Sequence, residues 1–163
     1  MATWNELFLN EEFISALPQP EVYKFIKILE GIFTDRPFTG FNFHGAIFWD
    51  ALHHNTISNI NKAVDVVYET LCVDGMFMVS LLSTKSGRAD LRGKEIEKNT
   101  FVREDGPEAE IPHHYFDEQG IRDLFRKWRI VSLVDIATTY IEENIHHSIN
   151  PFPYTKWNII VQK

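Results

Sequence analysis

The fold is decided by residues 43–82, FHGAIFWDALHHNTISNINKAVDVVYETLCVDGMFMVSLL. The opening part, 43–49, is a short and nearly continuous apolar run, which is typical of a strand buried on both faces. A helical period follows it, with apolar side chains at Ile60, Ala63, Val64, Val67, Tyr68 and Leu71. Asp74-Gly75 indicates a turn, and 76–82 is again wholly apolar. Strand, helix, turn and strand in this order predict a βαβ unit with parallel strands.

Two later stretches predict further strands of the same sheet. Residues 130–138 and 155–162 are rich in β-branched residues, and the second alternates weakly, as expected of an antiparallel strand. Asp117 is placed to cap a helix before the first of them. Residues 83–112 are polar and highly charged, and we expect them to form a long loop after the second strand. The sequence therefore predicts an α/β fold with about four strands: 43–49, 76–82, 130–138 and 155–162.

The residue pattern of the N-terminal segment, residues 1–30, predicts helices rather than strands. Its clearest part lies between Pro20 and Glu30, where Val22, Phe25, Ile26 and Leu29 fall on one helical stripe. No composition shift or linker follows, so we expect a single domain over 1–163, with the helical segment 1–30 preceding the α/β part 41–163.

Composition narrows the classes of function. The chain has 163 residues, of which 44% are hydrophobic, and Cys72 is its only cysteine. We therefore expect a globular chain that is neither disordered nor held together by disulfides. A single cysteine also suits the reducing cytoplasm. The formal net charge of −7 disfavours binding to nucleic acid. No apolar run is long enough to span a membrane, and no targeting peptide is expected. A small molecule or a protein is the expected partner.

Six of the seven histidines form adjacent pairs, His53-His54, His113-His114 and His146-His147. Neighbouring side chains diverge on both strands and helices, so the two rings of one pair rarely bind the same ion. The spacings typical of zinc sites do not occur, and we expect no metal site. Asp50 is more informative, because it ends an apolar strand and so lies where parallel sheets bind ligands.

These residues resemble the second half of a class I S-adenosylmethionine-dependent methyltransferase. The similar parts are Phe43–Asp50 as a strand, Leu52-His53-His54 after it, Asn59–Leu71 as the helix, the turn Cys72–Gly75 and the strand Met76–Leu82. HHYFDEQGIRDLFRKWRIVSL is similar to the helix and sixth strand of that family, TKWNIIVQK to its antiparallel last strand, and WNELFLNEEFISALPQPEVYKFIKILE to its N-terminal helical segment. The resemblance implies a Rossmann-like sheet and S-adenosylmethionine as cofactor.

The chain departs from the family between Glu30 and residue 41. The family places a glycine-rich turn and an acid for the cofactor ribose there, about 60 residues at roughly 30 per βα unit. No two glycines of this chain are separated by a single residue. The resemblance therefore implies a truncated sheet that meets only one edge of the cofactor, through Asp50, Leu52 and His53.

Two functions remain open at this point. One is a methyltransferase-like protein, derived from a small-molecule methyltransferase and inactive as a single chain. The other is a non-catalytic α/β module that associates with itself or with a partner, as a deletion product would. In the family the strand equivalent to 43–49 is interior, so its loss of a neighbour predicts an open edge and a homodimer centred on this strand.

Overall fold

The computed structural model describes residues 43–87, 92–106, 108–138 and 154–163. The chain divides into two compact units, Met1–Thr39 and Gly40–Lys163, and the second contains every described residue. The predicted helices of segment 1–30 lie outside the described residues. The prediction of a single domain over 1–163 stays a prediction.

The predicted βαβ unit is confirmed. It consists of strand β1 (Phe43–Phe48), helix α1 (Ile57–Thr70) and strand β2 (Leu71–Ser83). β1 and β2 are parallel, with Ala46 beside Phe77. β2 begins at Leu71 rather than Met76, and the predicted turn is an irregularity inside it, where Asp74 has a φ of 63°.

Within the polar stretch 83–112, the described residues form more strands than the sequence predicted. It contains β3 (Lys94–Glu97) and β4 (Thr100–Val102), and β5 (Pro112–Phe116) begins where it ends. β3 and β4 form a hairpin around Asn99, which has a φ of 62°. These strands have three to five residues each, too few to show an alternating apolar pattern.

The C-terminal part agrees with the prediction. Helix α2 (Glu118–Leu124) begins after Asp117, whose Oδ1 accepts a hydrogen bond from the backbone N of Gly120. β6 (Arg129–Thr138) and β7 (Tyr154–Gln162) are antiparallel to each other, and β7 is antiparallel to β2. Neither described helix is long and apolar enough to cross a membrane.

The seven strands form one sheet around β2. The order is β3-β4-β5-β2-β7-β6, and β1 also pairs with β2. β1 lies along the first part of β2, and the parallel strand β5 pairs with its last two residues. The carboxyl ends of these three parallel strands therefore point in the same direction, as the α/β prediction requires.

One expectation about β1 is wrong. The strand was predicted to be buried on both faces, yet Ile47 is 57% exposed and Trp49, just after the strand, is 51% exposed. Ala46 and Phe48, on the opposite face, are partly buried against the core. An apolar run therefore does not show that both faces of a strand are buried, because burial of each face depends on the other elements that pack against it.

The core lies between α1 and the inner face of the sheet. Ile60, Ala63, Val64 and Val67 on α1 are buried, as the helical period predicted. Phe77 on β2 is fully buried, and its ring centroid lies 5.6 Å from that of Phe48 and 5.7 Å from that of Trp128. Such a cluster accounts for most of the stabilisation of a small domain.

We predict that Val67→Asp destabilises the protein by about 4 kcal/mol, because it buries an unpaired charge in this core. Val67 is 7% exposed, whereas Val73 is 80% exposed, so Val73→Asp is the matched control. Urea unfolding of both variants measures the difference. Equal stability of the two variants would mean that α1 does not pack on the sheet through this stripe.

Candidate functional site

Asp50 lies directly after β1 in a backbone conformation that non-glycine residues rarely adopt, with a φ of 53°. Its backbone N donates a hydrogen bond to Ser80 Oγ at 2.7 Å, and Ser80 Oγ donates to Asp50 Oδ1 at 2.9 Å. The ammonium of Lys156 on β7 pairs with Oδ2. Side chains from β2 and β7 thus hold Asp50 in its strained conformation, at the edge where the sequence predicted a site.

The carboxylate of Asp50 is held but not enclosed. Its side chain remains 38% exposed, whereas Ser80 is fully buried and the Lys156 side chain is 16% exposed. A carboxylate with two oxygens has more lone pairs than Ser80 and Lys156 occupy. It can therefore still accept a hydrogen bond from a hydroxyl or amine of a ligand.

The other two predicted cofactor residues are buried. Leu52 is 1% exposed and belongs to the hydrophobic core, so its side chain offers no surface to a ligand here. His53 is also 1% exposed, and its backbone carbonyl accepts a hydrogen bond from the N of His114 at 2.9 Å. Their roles in cofactor binding stay predictions.

The ring of His53 lies in a buried position near His54, His113 and Lys156. Burial lowers the pKa of His53 well below its usual value, and its electrostatic interactions with His54, His113 and Lys156 lower that pKa further. Its Nδ1 is buried and has no hydrogen-bond partner in the structure. The ring is therefore held in its neutral form.

His54 and His113 meet across the same edge of the sheet, at Glu108. His54 Nε2 lies 3.6 Å from Glu108 Oε1, and His113 Nε2 lies 3.0 Å from Glu108 Oε2. Hydrogen bonds from His113 and from His54 hold the pKa of Glu108 far below its usual range. The sequence gives no sign of this group, because one ring comes from each of two different histidine pairs and only the fold brings them together. The third pair, His146-His147, lies outside the described residues.

His114, the sequence neighbour of His113, belongs to a hydrogen-bond network that connects the β3–β4 hairpin to α1. Its Nδ1 lies 2.6 Å from Thr100 Oγ1, and Thr100 Oγ1 donates to Glu97 Oε1 at 2.8 Å. The same Glu97 oxygen accepts from the backbone N of Ile57 at 2.8 Å. An acid from the β3–β4 hairpin thus stabilises the first turn of α1, where backbone N–H groups have no partner within the helix.

Comparison with known proteins identifies the fold. No family model matches the chain, and no curated protein matches it in sequence. A solved S-adenosylmethionine-dependent methyltransferase from Methanosarcina mazei matches 79% of this chain, with a TM-score of 0.57 and 16% identity. The 1,6-didemethyltoxoflavin-N1-methyltransferase of Burkholderia thailandensis, solved with 1,6-didemethyltoxoflavin and S-adenosylhomocysteine, matches 90% of it, with a TM-score of 0.56 and 14% identity.

A third solved structure, an S-adenosylmethionine-dependent methyltransferase from Clostridium acetobutylicum, matches 94% of this chain with a TM-score of 0.56 and 13% identity. The chain spans 64% of the M. mazei protein, 58% of the B. thailandensis protein and 72% of the C. acetobutylicum protein. The chain therefore has the fold of class I S-adenosylmethionine-dependent methyltransferases, as its sequence indicated. Identities this low show the fold and not the activity.

We predict that Ser80→Ala lowers the free energy of unfolding by about 1–3 kcal/mol, because it leaves the backbone N of Asp50 without its partner. Ser132→Ala, which removes a half-buried hydroxyl from β6, is the matched control and should cost less. Chemical denaturation measures both. If the two variants are equally stable, the hydroxyl of Ser80 does not hold the Asp50 turn.

Proposed function

We propose that the chain is a methyltransferase-like protein, derived from an S-adenosylmethionine-dependent small-molecule methyltransferase, that does not transfer methyl groups as a single chain. The likeness of its fold to solved methyltransferases supports the origin. The sequence supports the loss of activity, because it contains no glycine-rich turn between Glu30 and residue 41.

The physical reason lies in how this fold binds its cofactor. A glycine turn lets the backbone approach the ligand closely, and an acid after the next strand holds the ribose hydroxyls. Of the predicted cofactor edge, only the carboxylate of Asp50 is partly exposed, and it already pairs with Ser80 and Lys156. Methyl transfer depends on aligning donor and acceptor, so a cofactor held at one edge reacts slowly at best.

The proposal also covers the location of the protein and the kind of ligand that it binds. Cys72 is a free thiol, and a single cysteine suits a cytoplasmic location. The acidic net charge favours a small molecule or a protein over a nucleic acid as ligand.

We predict no rise in melting temperature when S-adenosylmethionine or S-adenosylhomocysteine is added at millimolar concentration. A ligand at 100 times its dissociation constant would stabilise the fold by about 2.7 kcal/mol, which a thermal shift resolves. An intact class I methyltransferase is the positive control. Saturable stabilisation by either ligand, or transfer of a labelled methyl group to any small molecule, would contradict the proposal.

The exposed side of β1 favours a second function, self-association. Among the described strands β1 pairs with β2 alone, and Ile47 on β1 lies beside Met78 on β2 in the register. Both side chains are exposed, Met78 by 38% and Ile47 by 57%, and Trp49 follows at 51%. We propose that a second copy of this chain covers this surface, with residues 43–49 at the centre of a homodimer, because a two-fold axis buries the same apolar patch of both copies at once.

Light scattering tests the homodimer. We expect the wild type to have twice the 19.0 kDa mass of one chain and Ile47→Lys to have the mass of one. Val134→Lys is the matched control, since Val134 on β6 is 47% exposed and lies away from β1. A monomeric wild type would exclude the dimer, and a dimer that persists in Ile47→Lys would place its interface elsewhere.

A further inference from the structure

Three groups that bind metal ions in proteins converge at the edge of the sheet that holds Asp50. They are the imidazoles of His54 and His113 and the carboxylate of Glu108, and one ligand atom from each lies within 4.8 Å of the others. His54 follows β1, and His113 lies on the parallel strand β5. Only the folded chain brings them together.

The hydrogen bonds of His113 indicate a cation at its Nε2. Its Nδ1 lies 2.9 Å from the carbonyl oxygen of Ile111, which can only accept, so Nδ1 carries a proton. In a neutral ring Nε2 then presents a lone pair, yet this atom faces Glu108 Oε2 at 3.0 Å, another acceptor. Two lone pairs face each other at this distance only if a positive species lies between them or beside them, either a second proton or a metal ion.

His54 has the same arrangement. Its Nδ1 lies 3.3 Å from the carbonyl oxygen of Ala51, so its Nε2 is turned toward Glu108 Oε1. A hydrogen bond from the second ring nitrogen to a backbone carbonyl is the usual way in which proteins orient a metal-binding histidine. Both histidines have this support before any ion is present.

The separations also suit one ion. Zinc lies about 2.0–2.1 Å from its nitrogen and oxygen ligands, so tetrahedral ligands are about 3.3 Å apart. His113 Nε2 lies 3.0 Å from Glu108 Oε2 and His54 Nε2 lies 3.6 Å from Glu108 Oε1, the other oxygen of the same carboxylate. One ligand atom from each of the three residues lies within 4.8 Å of the others, so small side-chain movements bring them to the separation of ligands around one ion. Both histidine side chains are about 10% exposed and that of Glu108 is 40% exposed, so solvent reaches the group through the carboxylate.

His53 provides a second observation at this place. Its ring centroid lies 4.2 Å from that of His54 and 6.4 Å from that of His113. Its Nδ1 is buried without a hydrogen-bond partner, and the side chain is almost fully buried. Buried polar atoms without partners are uncommon in proteins and often mark a site that a ligand or an ion completes.

We propose that His54 Nε2, His113 Nε2 and the Glu108 carboxylate bind one divalent transition-metal ion of the zinc type. Imidazole nitrogen with one carboxylate suits Zn²⁺ and its neighbours in the first transition row, whereas Mg²⁺ and Ca²⁺ select oxygen ligands alone. Three protein ligands leave a coordination position for water or for a bound small molecule. The ion also joins the segment after β1 to the segment before β5, and its binding does not depend on S-adenosylmethionine.

Isothermal titration of the metal-free, untagged protein with Zn²⁺ tests the site. We expect one ion per chain, with Mg²⁺ giving no measurable binding under the same conditions. Glu108→Gln and His113→Gln should each weaken Zn²⁺ binding by more than the roughly 10- to 100-fold that changes beyond the ligands themselves cause. Titration with Co²⁺, followed by visible absorption, reports the coordination geometry independently.

Two matched controls separate this site from adventitious binding. Glu110→Gln changes an exposed acid in the same turn, and His44→Gln removes an exposed histidine on β1. Both should bind Zn²⁺ as the wild type does. A wild type that binds no Zn²⁺ would overturn the proposal and leave a plain histidine–glutamate ion pair. Binding unchanged in Glu108→Gln and His113→Gln, or lost in the controls, would overturn it too. Absence of Zn²⁺ binding by the wild type overturns the proposal even where a variant fails to fold.

Discussion

Strand β2 (Leu71–Ser83) is the central strand on which the rest of the structure depends. Three other strands pair with it, and the core is built around its buried Phe77. β1 and β7 lie on either side of it, and β5 takes the place of β1 where β1 ends. The rings of Phe48, Phe125 and Trp128 surround Phe77 with centroids 5.6–6.2 Å away. A charged or small residue at this position would remove contacts from the helix side and from the sheet at once.

The parallel pairing of β1 and β5 with β2 also positions the polar side chains of the candidate site. Because the pairing of β1 with β2 ends at Val79 and β5 pairs with β2 at Leu82 and Ser83, the segment that follows β1 meets the start of β5. Asp50 is fixed there by Ser80 and Lys156, and His54 meets His113 and Glu108. The edge is thus lined by polar side chains that contact one another.

The exposed apolar side of β1 is the observation behind the proposed self-association. The side chains of Ile47, Trp49 and Met78 are exposed in a sheet whose other face is well packed. Apolar surface of this kind is usually covered by another chain. This surface is therefore the place where the proposed second copy would bind, and the Asp50 side chain, 38% exposed, remains accessible to a ligand or an ion.

Elements with a local residue pattern could be predicted from the sequence alone. The apolar runs at 43–49 and 76–82, the helical period from Ile60 to Leu71 and the cap at Asp117 each depend on neighbouring residues, and all appear in the structure. Asp50 is predicted as a residue of a ligand site from the same kind of local information, because it ends an apolar run. The absence of two glycines separated by a single residue can also be read directly from the sequence.

Only the tertiary structure decided the rest, because it depends on pairing between distant residues. The short strands β3, β4 and β5 carry too little periodicity to be predicted, and they form because the hairpin around Asn99 docks beside β5. The exposure of Ile47 depends on what covers the sheet and not on the strand. The meeting of His54, Glu108 and His113 requires the parallel placement of β1 and β5 on β2, which no spacing within the sequence encodes.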